Sequence, residues 1–347
     1  MSQRKLKLGI VGAGFVSQVA HIVNFVREPA CEVVALAELR PKLARQIAAQ
    51  HNIPHVYPTH TALLEDPEIE AVVVITPRHL TGPVALDCLR AGKSVMTEKP
   101  MAADAAQGKV LVEMARKNHV TLAVGYMRLA DAGIQMAKKY LDQWVAPNEL
   151  GRLIYARAHC FQGEDYCNID GFVTTGEAIP DLPVAPWPLA PDWIPQEYRH
   201  DYARFLSVYC HNISLLRYFL KGHPRVDYAA TNRLVVFDFN GVKATLEAGK
   251  MDHQGWDETM DLYFERGHMR IIPPPAFQQN MPARVEILRG GAQNVNQVLH
   301  SGWSWSFKRQ AGQFVDDVLN QRIPINSGEE ALIDLMVHEE IWRRSLA

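Results

Sequence analysis

The first 125 residues alternate short apolar runs with helix-forming stretches, and this alternation fixes what that part of the chain can become. "KLGIVGAG" leads into "FVSQVAHIVNFVRE" and then "CEVVALAEL", two runs rich in β-branched residues on either side of one helical length. Strands that are apolar on both faces and joined by a crossover helix belong in a parallel sheet covered on both sides. The pattern continues with an expected helix over Pro41 to His51, a strand over 71–76 and a helix over "TGPVALDCLRAG". The strand "SVMTE", the helix "AAQGKVLVEMARKN" and the strand "VTLAVGY" complete it. The expectation is an α/β, doubly wound parallel sheet over residues 1–125.

Gly12-x-Gly14 falls at the first strand–helix junction, where backbone amides and the helix dipole can hold a pyrophosphate. Phe15 and Val16 complete the turn, and the small Ser17 stands at the third position of the fingerprint. Glu38 ends the second strand, 21 residues past Ser17. An acidic side chain there can hold a ribose diol. Glycine turns are common, but this one has the strand before and the helix after that dinucleotide binding requires. A carboxylate at the ribose repels a 2′-phosphate, so NAD is expected. Arg40 keeps NADP open, since it can stack on adenine or accept that phosphate. The same rim should carry "TPRHLT", with Thr76, Pro77 and His79, and "TEKP", with Glu98 and Lys99. A Lys-Pro pair after an apolar run is most often a solvated strand end. On the rim where open parallel sheets bind ligands, the ammonium has a target instead.

At 347 residues, two domains are expected. Hydrophobic residues make up 48%, charged residues 21%, and the formal net charge is −2 with no basic block, so nothing favours a nucleic-acid partner. Cys31, Cys88, Cys160, Cys167 and Cys210 show no CxxC spacing. That argues against a metal cluster and suits a reducing cytoplasm. The N-terminus runs straight into a strand, and no stretch reaches the roughly 18 apolar residues of a spanning helix. A soluble cytoplasmic protein with no membrane partner is the expectation.

Beyond this frame, "GIVGAG", "ITPRHL", "AGKSVMTEKPMA", "VGYMR", "NELGRLIYARA" and the closing "FVDDVLNQRIPINSGEEALIDLMVHEEIWRRS" resemble the Gfo/Idh/MocA family of glucose–fructose oxidoreductase and inositol dehydrogenase type over nearly the whole chain. The resemblance implies an N-terminal Rossmann-type domain and a C-terminal α+β domain with a large open, mostly antiparallel sheet. It also implies hydride transfer between a nicotinamide and a secondary alcohol carbon of a sugar or cyclic polyol, with Lys99 hydrogen-bonded to the reacting hydroxyl. Two departures stand out. Arg78 occupies a loop position that is often Asn in the family. In "RFLSVYCHNISLLRYFLKG", His211 matches the family's helical Asp-x-x-x-His, but Ser207 replaces the aspartate and Ser214 a second one downstream. At about 100° per residue, Arg204, Ser207, His211 and Ser214 fall on one face, expected opposite Phe205, Val208, Leu215 and Phe219. A lone helical histidine is more often structural. A polar stripe centred on a histidine that matches the family favours catalysis. Glu164, Asp165 or Asp170 are the candidates to stand in for the missing carboxylate.

The second domain is expected over 126–302, with a proline-rich insert at 162–200, and residues 303–347 as terminal helices packing back toward the first domain. Residues 152–161 read as an edge strand and 227–272 as antiparallel strands with a turn at Asn240-Gly241. Six prolines from Pro180 to Pro195 rule out helix or central strand and imply a stiff extended segment. Its Trp187 and Trp193 suit either a surface arm or a flat wall for a pyranose. Trp303 and Trp305 are expected to pack against the terminal helices. Candidate substrate residues are Arg128, Arg204, Ser207, Asn212 and Trp187, with Lys99 and His211 as the catalytic pair. The expected partner is a small sugar, glycoside or polyol. An open sheet face needs covering, which implies a homodimer or homotetramer. Two alternatives stay open: an enzyme that rearranges or cleaves glycosides through a transient 3-keto sugar on retained NAD, and a catalytically silent NAD-binding regulator.

Overall fold

A computed structural model describes residues 4–144, 149–164, 169–180, 184–230 and 233–347. Contacts divide the chain into two compact units. One comprises Met1–Tyr126, Ile169–Arg199 and Gln310–Leu335, the other Met127–Asn168, His200–Arg309 and Met336–Ala347.

The first unit is built on β1 (Leu6–Val11), β2 (Cys31–Ala37), β3 (His55–Tyr57), β4 (Ala71–Val74), β5 (Ser94–Thr97) and β6 (Leu122–Val124). They form one sheet in the order β3-β2-β1-β4-β5-β6, with every neighbouring pair parallel. The order reverses between β1 and β4, which opens a crevice beyond the carboxyl ends of the strands. The crossovers are α1, wound as a π-helix over Ser17–Ile22 and as α-helix over Val23–Phe25, then α2 (Pro41–His51), α3 (His60–Leu64), α4 (Arg78–Arg90) and α5 (Ala105–Lys117). Leu8, Ile10, Val73 and Met96 of the strands share a core with Phe25, Leu43 and Ile47 of the helices. Ala311, Phe314 and Val315 from near the C-terminus join that core. The three-residue β3 has no apolar run to announce it.

The second unit holds an eight-stranded sheet ordered β14-β13-β12-β11-β7-β10-β9-β8. Its strands are β7 (Leu153–Glu164), β8 (Arg225–Ala230), β9 (Leu234–Phe239), β10 (Val242–Gln254), β11 (Trp256–Phe264), β12 (Gly267–Ile272), β13 (Arg284–Arg289) and β14 (Val295–Leu299). β7 is not the edge strand expected from the sequence. It lies inside the sheet, parallel to β10 and antiparallel to β11. Its alternation explains the mistake, because a half-buried interior strand reads like an edge strand. Ala156, Ala158 and Cys160 are buried, whereas Tyr155, Arg157 and His159 are only partly covered. The helices of this unit are α6 (Ala132–Lys139) and nearly all of α7 (Arg199–Leu220), while α8 (Ser306–Leu319) and α9 (Gly328–Leu346) contribute one end each.

The proline-rich stretch also departs from expectation. Residues 169–199 belong to the first unit, not the second. Val173 packs against the first unit's core. Of the two late tryptophans, Trp305 is buried with its Nε1 donating to the Ala276 carbonyl at 3.1 Å, whereas Trp303 is 91% exposed.

One buried group ties the second unit to pH. His338 is 0% exposed, with the rings of Tyr202 at 4.5 Å, Phe205 at 5.5 Å and Trp342 at 6.5 Å. Burial pushes its pKa down to about 3. The unfolded chain takes up a proton near the ordinary value of ~6.5, and the folded chain does not. This stability is fully present above that pH and falls, by up to roughly 1.4 kcal/mol per unit, as pH drops toward 3. We expect His338→Leu to be stable relative to wild type increasingly as pH falls from 6.5 to 4.5, read from melting temperatures of both proteins. A pH-independent difference would refute the assignment.

Candidate active site

The glycine turn is dictated by its surroundings. Gly12 has φ +96°, and a Cβ there would lie 2.1 Å from the Ile75 carbonyl oxygen, so no other residue fits. Gly14 differs, because a Cβ there would meet nothing within 4 Å. Protein packing does not demand that glycine. The open space above it is what a pyrophosphate approaching the backbone needs, so the turn fits a dinucleotide.

Glu38, 8% exposed just past the end of β2, accepts from the Ala13 amide at 2.8 Å. Arg40 folds back onto the same carboxylate, with Nε at 2.7 Å and Nη2 at 3.1 Å. Donating to this carboxylate raises the guanidinium's pKa further. The two residues proposed for the ribose end therefore form a pair, and Arg40 does not stand free to receive an anion. Thr76 and Pro77 follow β4, with Pro77 as the N-cap of α4 and His79 in its first turn. Gly12, Gly14, Phe15, Val16, Glu38, Arg40, Thr76, Pro77 and His79 all line a single cavity of ≈ 970 Å³.

The same cavity is roofed by Ile179, Pro180, Val184, Ala185 and Pro186 of the proline-rich strap. Gln18 of α1 holds the strap by two bonds, accepting from the Val173 amide at 2.8 Å and donating to its carbonyl at 3.0 Å. Phe172 meets the ring of Phe15 edge-on at 4.9 Å. Farther along, the Trp187 amide donates to the His79 carbonyl at 2.9 Å, and its ring lies so close to Gly82 that a Cβ there would be 2.3 Å from it. Trp187 is thus an anchor pressed onto α4, which is a different use from the sugar-facing wall expected of it.

Glu98 and Lys99 end β5 on this rim, and the Lys99–Pro100 peptide is cis. Glu98 faces inward. His21 of α1 lies 2.7 Å from its Oε1, and the Lys99 amide donates to Oε2 at 3.0 Å. Burial opposes the charge, but the His21 hydrogen bond and the nearby Lys99 ammonium outweigh it and hold the carboxyl below its ordinary pKa. Glu98 therefore supports the lysine from below.

In the second unit, Arg204, Ser207 and His211 of α7 are all half-exposed along one stripe. Val208 shares that stripe, against expectation, and Ser214 is buried with its hydroxyl donating to the His211 carbonyl at 3.0 Å. Arg128 and Asn212 are each 2% exposed. Arg128 is locked to Glu258 at 2.5 Å and donates to the Pro274 carbonyl at 2.6 Å. Glu258 also accepts from Trp256 Nε1 at 2.8 Å and Asn212 Nδ2 at 3.4 Å. Arg128 is therefore spent on Glu258 and Pro274, and Asn212, itself on α7, ties that helix to Glu258 from a buried position. Of the three acids considered as replacements for the missing aspartate, Asp165 and the Glu164 side chain lie outside the described residues, as does Cys167. Asp170 belongs to the first unit.

A family model described as "Oxidoreductase family, NAD-binding Rossmann fold" (GFO_IDH_MocA) matches residues 6–126. The first domain of this chain is therefore similar to the NAD-binding domain of the Gfo/Idh/MocA oxidoreductases. Inositol 2-dehydrogenase of Pseudomonas fluorescens is 32% identical over 194 residues, which are 54% of this chain and 56% of that protein. Levoglucosan dehydrogenase of Pseudarthrobacter phenanthrenivorans is 25% identical over 167 residues, 46% of this chain and 42% of that one. The chain thus spans about half the length of these curated relatives. A solved levoglucosan dehydrogenase in complex with NADH and levoglucosan superposes with TM-score 0.77 at 15% identity, over 99% of this chain and 98% of that one, which establishes a shared fold.

His21, Glu258 and Glu177, whose carboxylate accepts from the Lys42 and Leu43 amides at 2.9 and 3.0 Å, could not be picked out from the sequence. None belongs to a motif, and each acquires its role from a partner at least 77 residues away or from another strand or helix. No helix among the described residues is long and apolar enough to cross a membrane.

Proposed function

We propose that this protein is an NAD-dependent oxidoreductase acting on a secondary alcohol or keto carbon of a sugar, glycoside or cyclic polyol. The observation that carries the reading is the cavity bounded by Gly12, Gly14 and Glu38, on the strand-end rim that also bears Lys99. The relatives named inositol and levoglucosan dehydrogenases support the substrate class. NAD, when bound, supplies the hydride acceptor or donor. The chain's own residues do the rest. The turn amides receive the pyrophosphate, Glu38 takes the ribose diol, and the strap keeps water from the cavity. Lys99 donates to the reacting oxygen and stabilises its developing negative charge, while His211 accepts the proton. The test is steady NADH absorbance from purified protein supplied with NAD and a panel of cyclitols, anhydrosugars and glycosides. No absorbance change and no product on any of them would refute the reading.

The roof over the cavity favours one variant of it. A strap pinned at Val173 and Trp187 suits an enzyme that keeps its dinucleotide while it oxidises and re-reduces one substrate. Substrate conversion without net absorbance change would support that variant. We further propose that a second copy covers the half-exposed sheet face of Tyr155, Arg157, His159 and Tyr263. Light scattering should then give at least twice the chain mass of 39.0 kDa, and a monomer would refute it.

A further inference from the structure

Glu177 has no place in the nucleotide-binding fingerprint, yet the fold delivers it to the cofactor's ribose end. α2 starts at Pro41, three residues after Glu38. The first amides of a helix have no partner within it, and they attract anions. Arg40, the N-cap of α2, provides no side-chain cap. Glu177 does so from 135 residues away, with Oε1 accepting from the Lys42 amide at 2.9 Å and Oε2 from the Leu43 amide at 3.0 Å. Thr175 donates to the same carboxylate at 2.8 Å, and the Gln18–Val173 bonds fix the strap a few residues upstream.

We propose that Glu177 is a specificity-determining residue that excludes a 2′-phosphate and so selects NAD over NADP. The proposal rests on Glu38 reading the ribose. A phosphate on the 2′-oxygen would extend past Glu38 toward the amides that open α2 and toward Arg40, the natural donors for it. Both amides and two of the three Arg40 side-chain nitrogens are already committed. Lys42 and Leu43 serve Glu177, and Arg40 serves Glu38 through Nε and Nη2. NADP must expel one carboxylate and approach a second, whereas NAD leaves both in place.

The experiment is titration of the full chain, without substrate, with NAD, NADP, ADP and 2′,5′-ADP by calorimetry. Glu177→Ala should bind NADP and 2′,5′-ADP about tenfold more tightly than wild type, with NAD and ADP changed by less than about threefold. Glu177→Gln retains the side-chain volume and one acceptor, so it guards against loss of the helix cap and should shift the ratio in the same direction. An unchanged NADP/NAD ratio in both folded variants overturns the role of Glu177 alone. Wild type that prefers NADP overturns it together with the reading of Glu38. None of these outcomes depends on the sugar substrate, so the oxidoreductase reading stands or falls separately.

Discussion

Lys99→Ala should lower turnover by at least about a hundredfold, roughly 2.7 kcal/mol of barrier, while NAD affinity stays within a few-fold of wild type. The asymmetry follows from where the lysine sits. The groups that line the cofactor cavity are the glycine turn, Glu38, Arg40 and the start of α4, and Lys99 is not among them. Its proposed work is at the reacting oxygen, so its loss belongs in kcat more than in binding. The variant should also fold. The partly buried Glu98 keeps its bond to His21 and to the residue-99 amide, while it loses the favourable charge of the ammonium. Turnover is read with substrate from the panel and saturating NAD, and affinity by calorimetry. Retention of more than about a tenth of wild-type turnover, ~1.4 kcal/mol, would sink the role.

The parts of this molecule that were legible in its sequence are those governed by local chemistry. β-branched runs around a helical length gave the parallel sheet, and the helix expected over Pro41 to His51 is the one observed. Gly12 was readable because only glycine tolerates its φ with a carbonyl 2.1 Å from the Cβ position. What escaped notice was long-range. Nothing in "TTGEAIPDLPVAPW" says which domain it will cover, since proline excludes helix and sheet without naming a docking surface. The clues lie in its partners, Gln18 and Gly82, which look like an ordinary helix polar residue and an ordinary helix glycine until the strap is placed. Arg128 misled for the opposite reason. An arginine beside a family motif suggests substrate, and only the fold shows Glu258 consuming it. A buried pair of this kind is strongly destabilised when one partner is removed, so loss of activity in an Arg128 variant would report on folding before chemistry.

The second large effect is expected at His211. Alcohol oxidation needs a group that accepts a proton, and histidine in its neutral form is suited to that near neutral pH. Wild-type turnover should therefore fall on the acid side, as the ring takes up a proton and stops accepting one. His211→Ala should lose most activity, by a factor on the order of 10² to 10⁴, and with it this acid limb. The residue one turn earlier gives the sharper test. Ser207 shares the half-exposed stripe of α7 with His211, so an aspartate there can reach the imidazole from the i−4 position. A carboxylate beside an imidazole favours the charged ring, so Ser207→Asp should move the limb upward by up to about one pH unit. Simple disruption of the helix would lower activity at every pH and leave the limb in place. The measurement is turnover against pH at saturating NAD for wild type, Ser207→Asp and His211→Ala. The acid destabilisation traced to His338 also acts below pH 6.5, so each point requires a melting curve showing folded protein. An acid limb that persists in folded His211→Ala would move the base elsewhere, and Asp170, exposed in the strap, would be the first residue to replace.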